Sequence, residues 1–150
     1  MTARSYEDAK EVARANLAFY RAFEALEMAR MEAIWLSEPY VKCVHPGSEM
    51  IVGFDGVMAS WRSIFQHTEK ISFSVHDIDV RVQGDLAWVT LTEAVETHFS
   101  ANERGTVVAA TNVFERRSGR WFMVLHHASP LLRRVGLEAP GESLPGGEGL

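Results

Sequence analysis

Cysteine is almost absent. The one residue, Cys43, leaves no intrachain disulfide to form, which fits a reducing compartment. Long apolar runs are missing too; none approaches the ~20 residues of a membrane span. The first residues, Met1 to Glu7, are charged and carry no apolar segment of the kind a signal peptide needs. Together these absences predict a cytoplasmic protein without a membrane partner. There is no basic block and no interleaving of Lys/Arg with aromatics, and the net charge is −5, so nucleic acid is not an expected partner. Internal repeats and low-complexity core segments are absent as well. With 47% hydrophobic and 23% charged residues, the remaining possibility is an ordinary globular domain with a core of its own.

The densest apolar stretch runs from Val107 to Pro130. Two runs rich in β-branched and aromatic residues flank Arg117-Ser118-Gly119, the signal of a β-hairpin. Both faces of both runs are largely apolar, so each must be covered. Asn112, His126 and His127 are the polar exceptions.

Upstream, Ser5-Tyr6-Glu7-Asp8 reads as a capping box opening a long helix, with Val12, Ala15, Phe19, Phe23 and Leu26 on its apolar stripe. A shorter helix carries Met28, Met31, Ile34 and Trp35 and stops before Pro39. Tyr40 to His45 alternates as a strand, with Val41, Cys43 and His45 on one side, and Pro46-Gly47 ends it. Met50 to Val52 is a second short strand. Asp55 is a plausible N-cap for a helix whose stripe is Val57, Trp61, Ile64 and Phe65. From Ile71 the period becomes two: a strand over Phe73 to Gln83, a turn at Gly84-Asp85, a long strand over Leu86 to Ser100, and a turn at Asn102 to Gly105 leading into the hairpin. Helices first and then an antiparallel meander make an α+β plan, with three helices on one face of the sheet. Residues 1–132 form the domain; the Pro/Gly-rich stretch 133–150 has too few apolar residues to offset its ordering entropy and is expected to be a mobile tail.

Several segments together resemble a SnoaL-like protein of the nuclear-transport-factor-2-like superfamily, related to ketosteroid isomerase. They are Cys43-Val44-His45-Pro46-Gly47, Gly53-Phe54-Asp55-Gly56-Val57, Ser60 to Phe65, Thr111 to Arg116 with Gly119-Arg120-Trp121, and His126-His127-Ala128-Ser129-Pro130. The resemblance covers roughly residues 5 to 132. It implies a cystatin-like, cone-shaped barrel: a curved antiparallel sheet wrapped around the N-terminal helix, with an apolar pocket open at one end. It also implies a homodimer through the outer face of the sheet, which assigns the second apolar face of the hairpin, with Trp121, Met123 and Leu125, to a partner copy. The superfamily spans isomerases, cyclases, dehydratases, hydrolases, association domains and transport factors, so it implies a fold more firmly than an activity.

In the ketosteroid isomerase pattern the residue before the proline at this strand end is the general base, and here it is His45. Imidazole titrates near neutrality and suits acid/base work; the structural alternative is a histidine that orders the strand end. Asn112 falls where that enzyme holds a protonated aspartic acid. The alternative for it is a satisfied buried amide. The helix tyrosine of that enzyme falls on Phe19, which has no donor, and Tyr20 points about 100° away. The pattern's two-donor oxyanion hole is therefore missing.

Which histidine enters the pocket depends on the hairpin turn. A three-residue loop, Arg117-Ser118-Gly119, pairs Asn112 with Val124 and puts Phe114, Phe122, Val124 and His126 on Asn112's face; a two-residue loop puts His127 there. Gly in third position favours the former, so His126 is the expected pocket residue. Catalytic candidates are thus His45, Asn112 and His126. Substrate-binding candidates are Phe19, Trp35, Trp61, Phe114 and Val124. Cys43, two positions along a strand from His45, is too far for a direct bond and reads as a small buried hydrophobe. No His/carboxylate spacing supports a metal, and no cofactor is implied. The functional expectation is a small apolar carbonyl-type ligand with cofactor-free isomerase, lyase or cyclase chemistry. The alternative is a non-catalytic homodimeric module binding a ligand or a peptide.

Overall fold

The computed structural model describes residues 2–99 and 102–131. The tail expected over 133–150 and the domain end at 132 lie outside those residues. Among the described residues the order is α1 (Ala3–Ala25), α2 (Met28–Ile34), β1 (Lys42–Val44), β2 (Met50–Val52), α3 (Phe54–Gln66), β3 (Lys70–Gln83), β4 (Leu86–Phe99), β5 (Asn102–Arg117) and β6 (Arg120–Pro130). The strands form one sheet in the order β2-β1-β6-β5-β4-β3. It is mixed, because β1 runs parallel to β6 while its other pairs are antiparallel. The fold is the expected α+β arrangement, but the sheet curves without closing into a barrel.

The N-cap of helix α1 lies three residues before the expected one. Thr2 is the N-cap, and its hydroxyl accepts from the Ser5 amide. The buried residues of α1 are Asp8, Val12, Asn16, Phe19, Tyr20 and Ala22, so the inward stripe includes polar groups that the apolar periodicity did not mark. Helix α3 begins at Phe54 with Gly53 as N-cap, so Asp55 lies in the first turn instead of capping it. Trp35 leaves α2 in an extended conformation and bridges to Met123 at the edge of β6.

Two irregularities shape the sheet. In β3 the pairing with β4 shifts between His76 and Asp79, where Asp77 takes a φ of 54°. In β6 it shifts beside Val124: Val113 pairs with Leu125, Phe114 with Met123, and Val124 has no β5 partner. Bulges of this kind bend a strand and deepen its twist, giving α1 a concave surface to fill. Glu24 of α1 accepts the Phe73 amide at 2.8 Å and occupies a polar group of the β3 edge. Residues 102–105, expected as a turn, already pair with 96–99 at the start of β5.

The hairpin turn departs from expectation, and the bulge reverses the consequence. Arg117 pairs with Arg120, so the loop is the two residues Ser118 and Gly119, with φ of 54° and 75°. Two successive positive φ values make a type I′ turn, whose twist matches that of the strands. Alone, that turn would put His127 inside. The extra residue at Val124 flips the parity back, so His126 is buried and His127 exposed. The same bulge breaks the expected outer row. Trp121 and Met123 precede it, oppose Arg116 and Phe114, and are buried in the core. Of the three residues assigned to a dimer face, only Leu125 points outward, opposite Val113.

Candidate functional site

An apolar cavity of about 220 Å³ opens between α1, α3 and the concave face of the sheet. Phe23, Ile64, Ile71 and Phe73 supply part of its wall; the polar groups on the lining are His45, Glu93, Thr106 and His126. The volume is below the range of drug-sized sites and suits a ligand of one or two rings.

His126 is held from behind. Its Nδ1 lies 2.6 Å from Asn112 Oδ1, a cross-strand contact set by the direct pairing of the two residues. An amide oxygen can only accept, so Nδ1 carries the proton and Nε2 keeps its lone pair. The Asn112 amide in turn donates to Asn16 Oδ1 at 2.8 Å and to the Tyr20 hydroxyl at 3.2 Å. Tyr20 donates to Glu93 Oε2 at 2.5 Å, a short bond. Every donor in the row His126–Asn112–Tyr20–Glu93 points the same way. Its two ends, His126 and Glu93, lie on the cavity wall. The middle of the row is a buried network in which each deletion strands a neighbour.

His45 is committed differently. Ser60 gives its one hydroxyl proton to the Val57 carbonyl at 2.7 Å, so Ser60 Oγ must accept from His45 Nε2 at 2.9 Å. The ring stands edge-on to Trp61, with centroids 4.7 Å apart. Cys43 Sγ comes within 3.6 Å of His45 Nε2 and 3.9 Å of Nδ1, closer than strand spacing predicts, because β1 ends at Val44 and His45 turns off its line. The thiol remains a poor nucleophile, since burial pushes its pKa up.

Burial dominates the electrostatics. It lowers His45 to about 4 and His126 to about 3, with the nearby His45 and His127 adding to the latter, so both rings are neutral at pH 7. It raises Glu93 to about 7, against a smaller opposing effect of the Tyr20 hydrogen bond. Tyr20 is pushed above its ordinary range by burial and then by the neighbouring carboxylate.

His45 and His126 thus share a cavity wall, with Asn112 directly behind His126. Phe19 and Trp61 are fully buried and back the site: Phe19 lies 4.7 Å from the His126 ring and 5.5 Å from Trp61 between centroids. The other three expected binding residues are elsewhere. Phe114 is enclosed in the core, Trp35 borders a separate depression with Arg117 and Phe122, and Val124 is the unpaired bulge residue. Glu93 and Asn16 are not among the expected site residues, and Tyr20, expected to point about 100° away from Phe19, is a correction. Tyr20 is 1% exposed, so its direction on α1 brings it inward. Among the described residues no group of three or more His, Cys, Asp or Glu side chains is placed to hold a metal ion, and no helix is long and apolar enough to cross a membrane.

A long helix packed in a curved six-stranded sheet, with a small apolar cavity at one end, defines the NTF2-like, cystatin-like class. Within it the sequence matches the SnoaL-like domain over residues 12–133, and the chain belongs to that family. It is 37% identical to a candidate dehydratase of the NTF2-like family from Streptomyces avermitilis, over 85% of this chain and 98% of that one, with a TM-score of 0.81. A candidate calcium/calmodulin-dependent protein kinase type II association domain from Thiobacillus denitrificans is 36% identical, over 79% and 93% of the two chains, with a TM-score of 0.70. The F-box protein SKIP8 of Arabidopsis thaliana is 33% identical over 127 residues, 85% of this chain. The chain spans about half the length, 52%, of that plant protein.

Proposed function

We propose that this domain binds a small apolar carbonyl compound and moves a proton on it without a cofactor, as an isomerase, lyase or cyclase. The observation that carries this reading is His126 on the cavity wall, with Nδ1–H fixed on Asn112 and the Nε2 lone pair left over. An imidazole whose basicity burial has reduced takes a proton only from an activated carbon, and a carbonyl activates its neighbour. His126 is therefore the base of choice and Asn112 its positioning residue. His45, whose Nε2–H is used on Ser60, orders the strand end and shapes the wall. The dehydratase named among the relatives agrees with proton transfer as the reaction type.

The test is α-proton exchange of 2-indanone in D2O, followed by NMR. The protein should accelerate it above buffer, His126→Phe should lose the acceleration, and His45→Phe should keep most of it. No acceleration, or acceleration that survives His126→Phe, would sink the reading.

A second reading has its own support. The outer face of the sheet carries Thr90, Ala109, Thr111 and Ser129 with the exposed Trp88 and Val107, a mostly small and uncharged surface. Homodimerisation there, with Leu125 at its margin, would make the domain an association module like the one named among the relatives. A cytoplasmic location accompanies either reading, because the one cysteine is a free thiol.

A further inference from the structure

We propose that Glu93 is a second functional residue of this cavity: in its acid form it donates a hydrogen bond from Oε1 to the carbonyl of the ligand whose neighbouring carbon His126 faces. This rests on the proton-transfer reading above and adds to it the group that receives the ligand's oxygen.

Glu93 sits mid-strand in β4 on the concave side and is 4% exposed. Its Oε2 takes the Tyr20 hydroxyl, and Oε1 has no hydrogen-bond partner among the described residues. Among the described residues, the groups packed around it offer no cation. On the flanking strands it opposes Val75 and Val108. From α1 come Tyr20, which donates to it, and Glu24, which is turned to the Phe73 amide. His45 and His126 also belong to the cavity lining, both kept neutral by burial. Among the described residues no Lys or Arg lines the space.

A buried carboxylate without a positive neighbour is costly, and protonation relieves the cost. The site of that proton is fixed by the network. Tyr20's hydroxyl proton is directed at Oε2, and its oxygen already accepts from Asn112. The carboxyl proton therefore belongs on Oε1, the atom left for a ligand. The other polar hydrogens nearby are spoken for: Nδ1–H of His126 on Asn112, Nε2–H of His45 on Ser60, and the Asn112 amide on Asn16 and Tyr20. The indole N–H of Trp61 is buried, so it does not reach the cavity surface. An acceptor on the ligand is thus left with the Glu93 acid as its buried donor; Thr106 stands at the exposed rim.

The experiment compares 2-indanone with indane, which has the same skeleton and no oxygen, by NMR or calorimetric titration at pH 5.5 and 8.5. The wild type should bind the ketone about tenfold more tightly than the hydrocarbon at pH 5.5, the worth of one net hydrogen bond, and lose that advantage at pH 8.5. Glu93→Gln presents an amide N–H at both pH values, so its preference should persist at both. A ketone advantage equal at both pH values in the wild type, or absent at pH 5.5 while indane binds, overturns the role of Glu93 and leaves the cavity reading standing. Failure of both compounds to perturb the cavity residues overturns the reading beneath and the inference with it. The wild-type pH comparison decides the matter even if the variant does not fold.

Discussion

Asn112 and His126 stand opposite each other across β5 and β6, and the unpaired residue Val124 is what sets His126, not Leu125, in that place. Their 2.6 Å contact fixes the tautomer of the His126 ring and leaves its Nε2 with the lone pair.

Removing that contact should be expensive. Asn112→Leu keeps the volume but strands the His126 Nδ1–H and withdraws a donor from both Asn16 and Tyr20. We expect a loss of about 2–4 kcal/mol, read as a lower urea midpoint with an unchanged slope. A loss within experimental error would show that water replaces the amide and that the row is not a fixed device.

Glu93 should make alkaline pH unfavourable. Its carboxyl titrates near 7 in the fold against an ordinary 4.5, so the stability it contributes is complete below the ordinary value and is lost as pH rises through 7. Glu93→Gln should gain on the wild type between pH 5 and pH 8, by up to roughly 3 kcal/mol. Parallel stability curves for the two proteins would contradict the raised carboxyl.

The histidines act in the opposite sense. His126 is lowered from 6.5 to about 3, so its contribution is present above 6.5 and drains away as pH falls towards 3. Between pH 7 and pH 5 this one group should cost the wild type about 2 kcal/mol, a loss that His126→Gln escapes. Chemical denaturation at the two pH values checks it, and an equal acid loss in both proteins would count against a buried neutral ring.

Two substitutions separate the core from the outer face. Trp121→Glu should unfold the protein, because the indole is packed in the core with the Arg116 guanidinium 4.8 Å from its ring. Val107→Glu, on the exposed face, should leave the melting temperature nearly unchanged and convert a homodimer to monomers in sedimentation. A folded Trp121→Glu protein would refute the position assigned to the bulge, and a Val107→Glu protein that stays dimeric would refute the outer-face interface.

The helices and the long strands could be read from periodicity, because a period of 3.6 or 2 reports which face is buried whatever it packs against. The resemblance supplies the concave fold and points to His45 and Asn112, whereas His126 rests on the hairpin register. What escaped was local and polar. The bulge at Val124 has no mark in sequence, since an extra residue in a strand of alternating apolar groups looks like its neighbours. A three-residue turn predicts the inward position of His126 only because the bulge compensates for the two-residue turn, and it places Trp121 and Met123 on the wrong side. Asn16, one turn from Tyr20 on α1, carries no apolar signal, and the roughly 100° between Phe19 and Tyr20 sets the tyrosine aside although both are buried. Glu93 was there to be found: it alternates inward with Ala87, Val89, Leu91 and Val95, and a lone carboxylate in that row is the pattern of a working group.

The parallel pairing of β1 with β6 carries a consequence for how the molecule comes into being. Cys43 is the strand partner of His126, so the strand that leads to His45 joins the sheet only beside β6, the last strand among the described residues. Such a pairing must close a very long loop, and contacts of that kind form slowly. The β3–β4 and β4–β5 hairpins can assemble from neighbouring sequence, while the pocket must await β6. A half-folded chain therefore holds most of its sheet and none of its chemistry, and ligand binding reports completion of the fold more faithfully than secondary structure does.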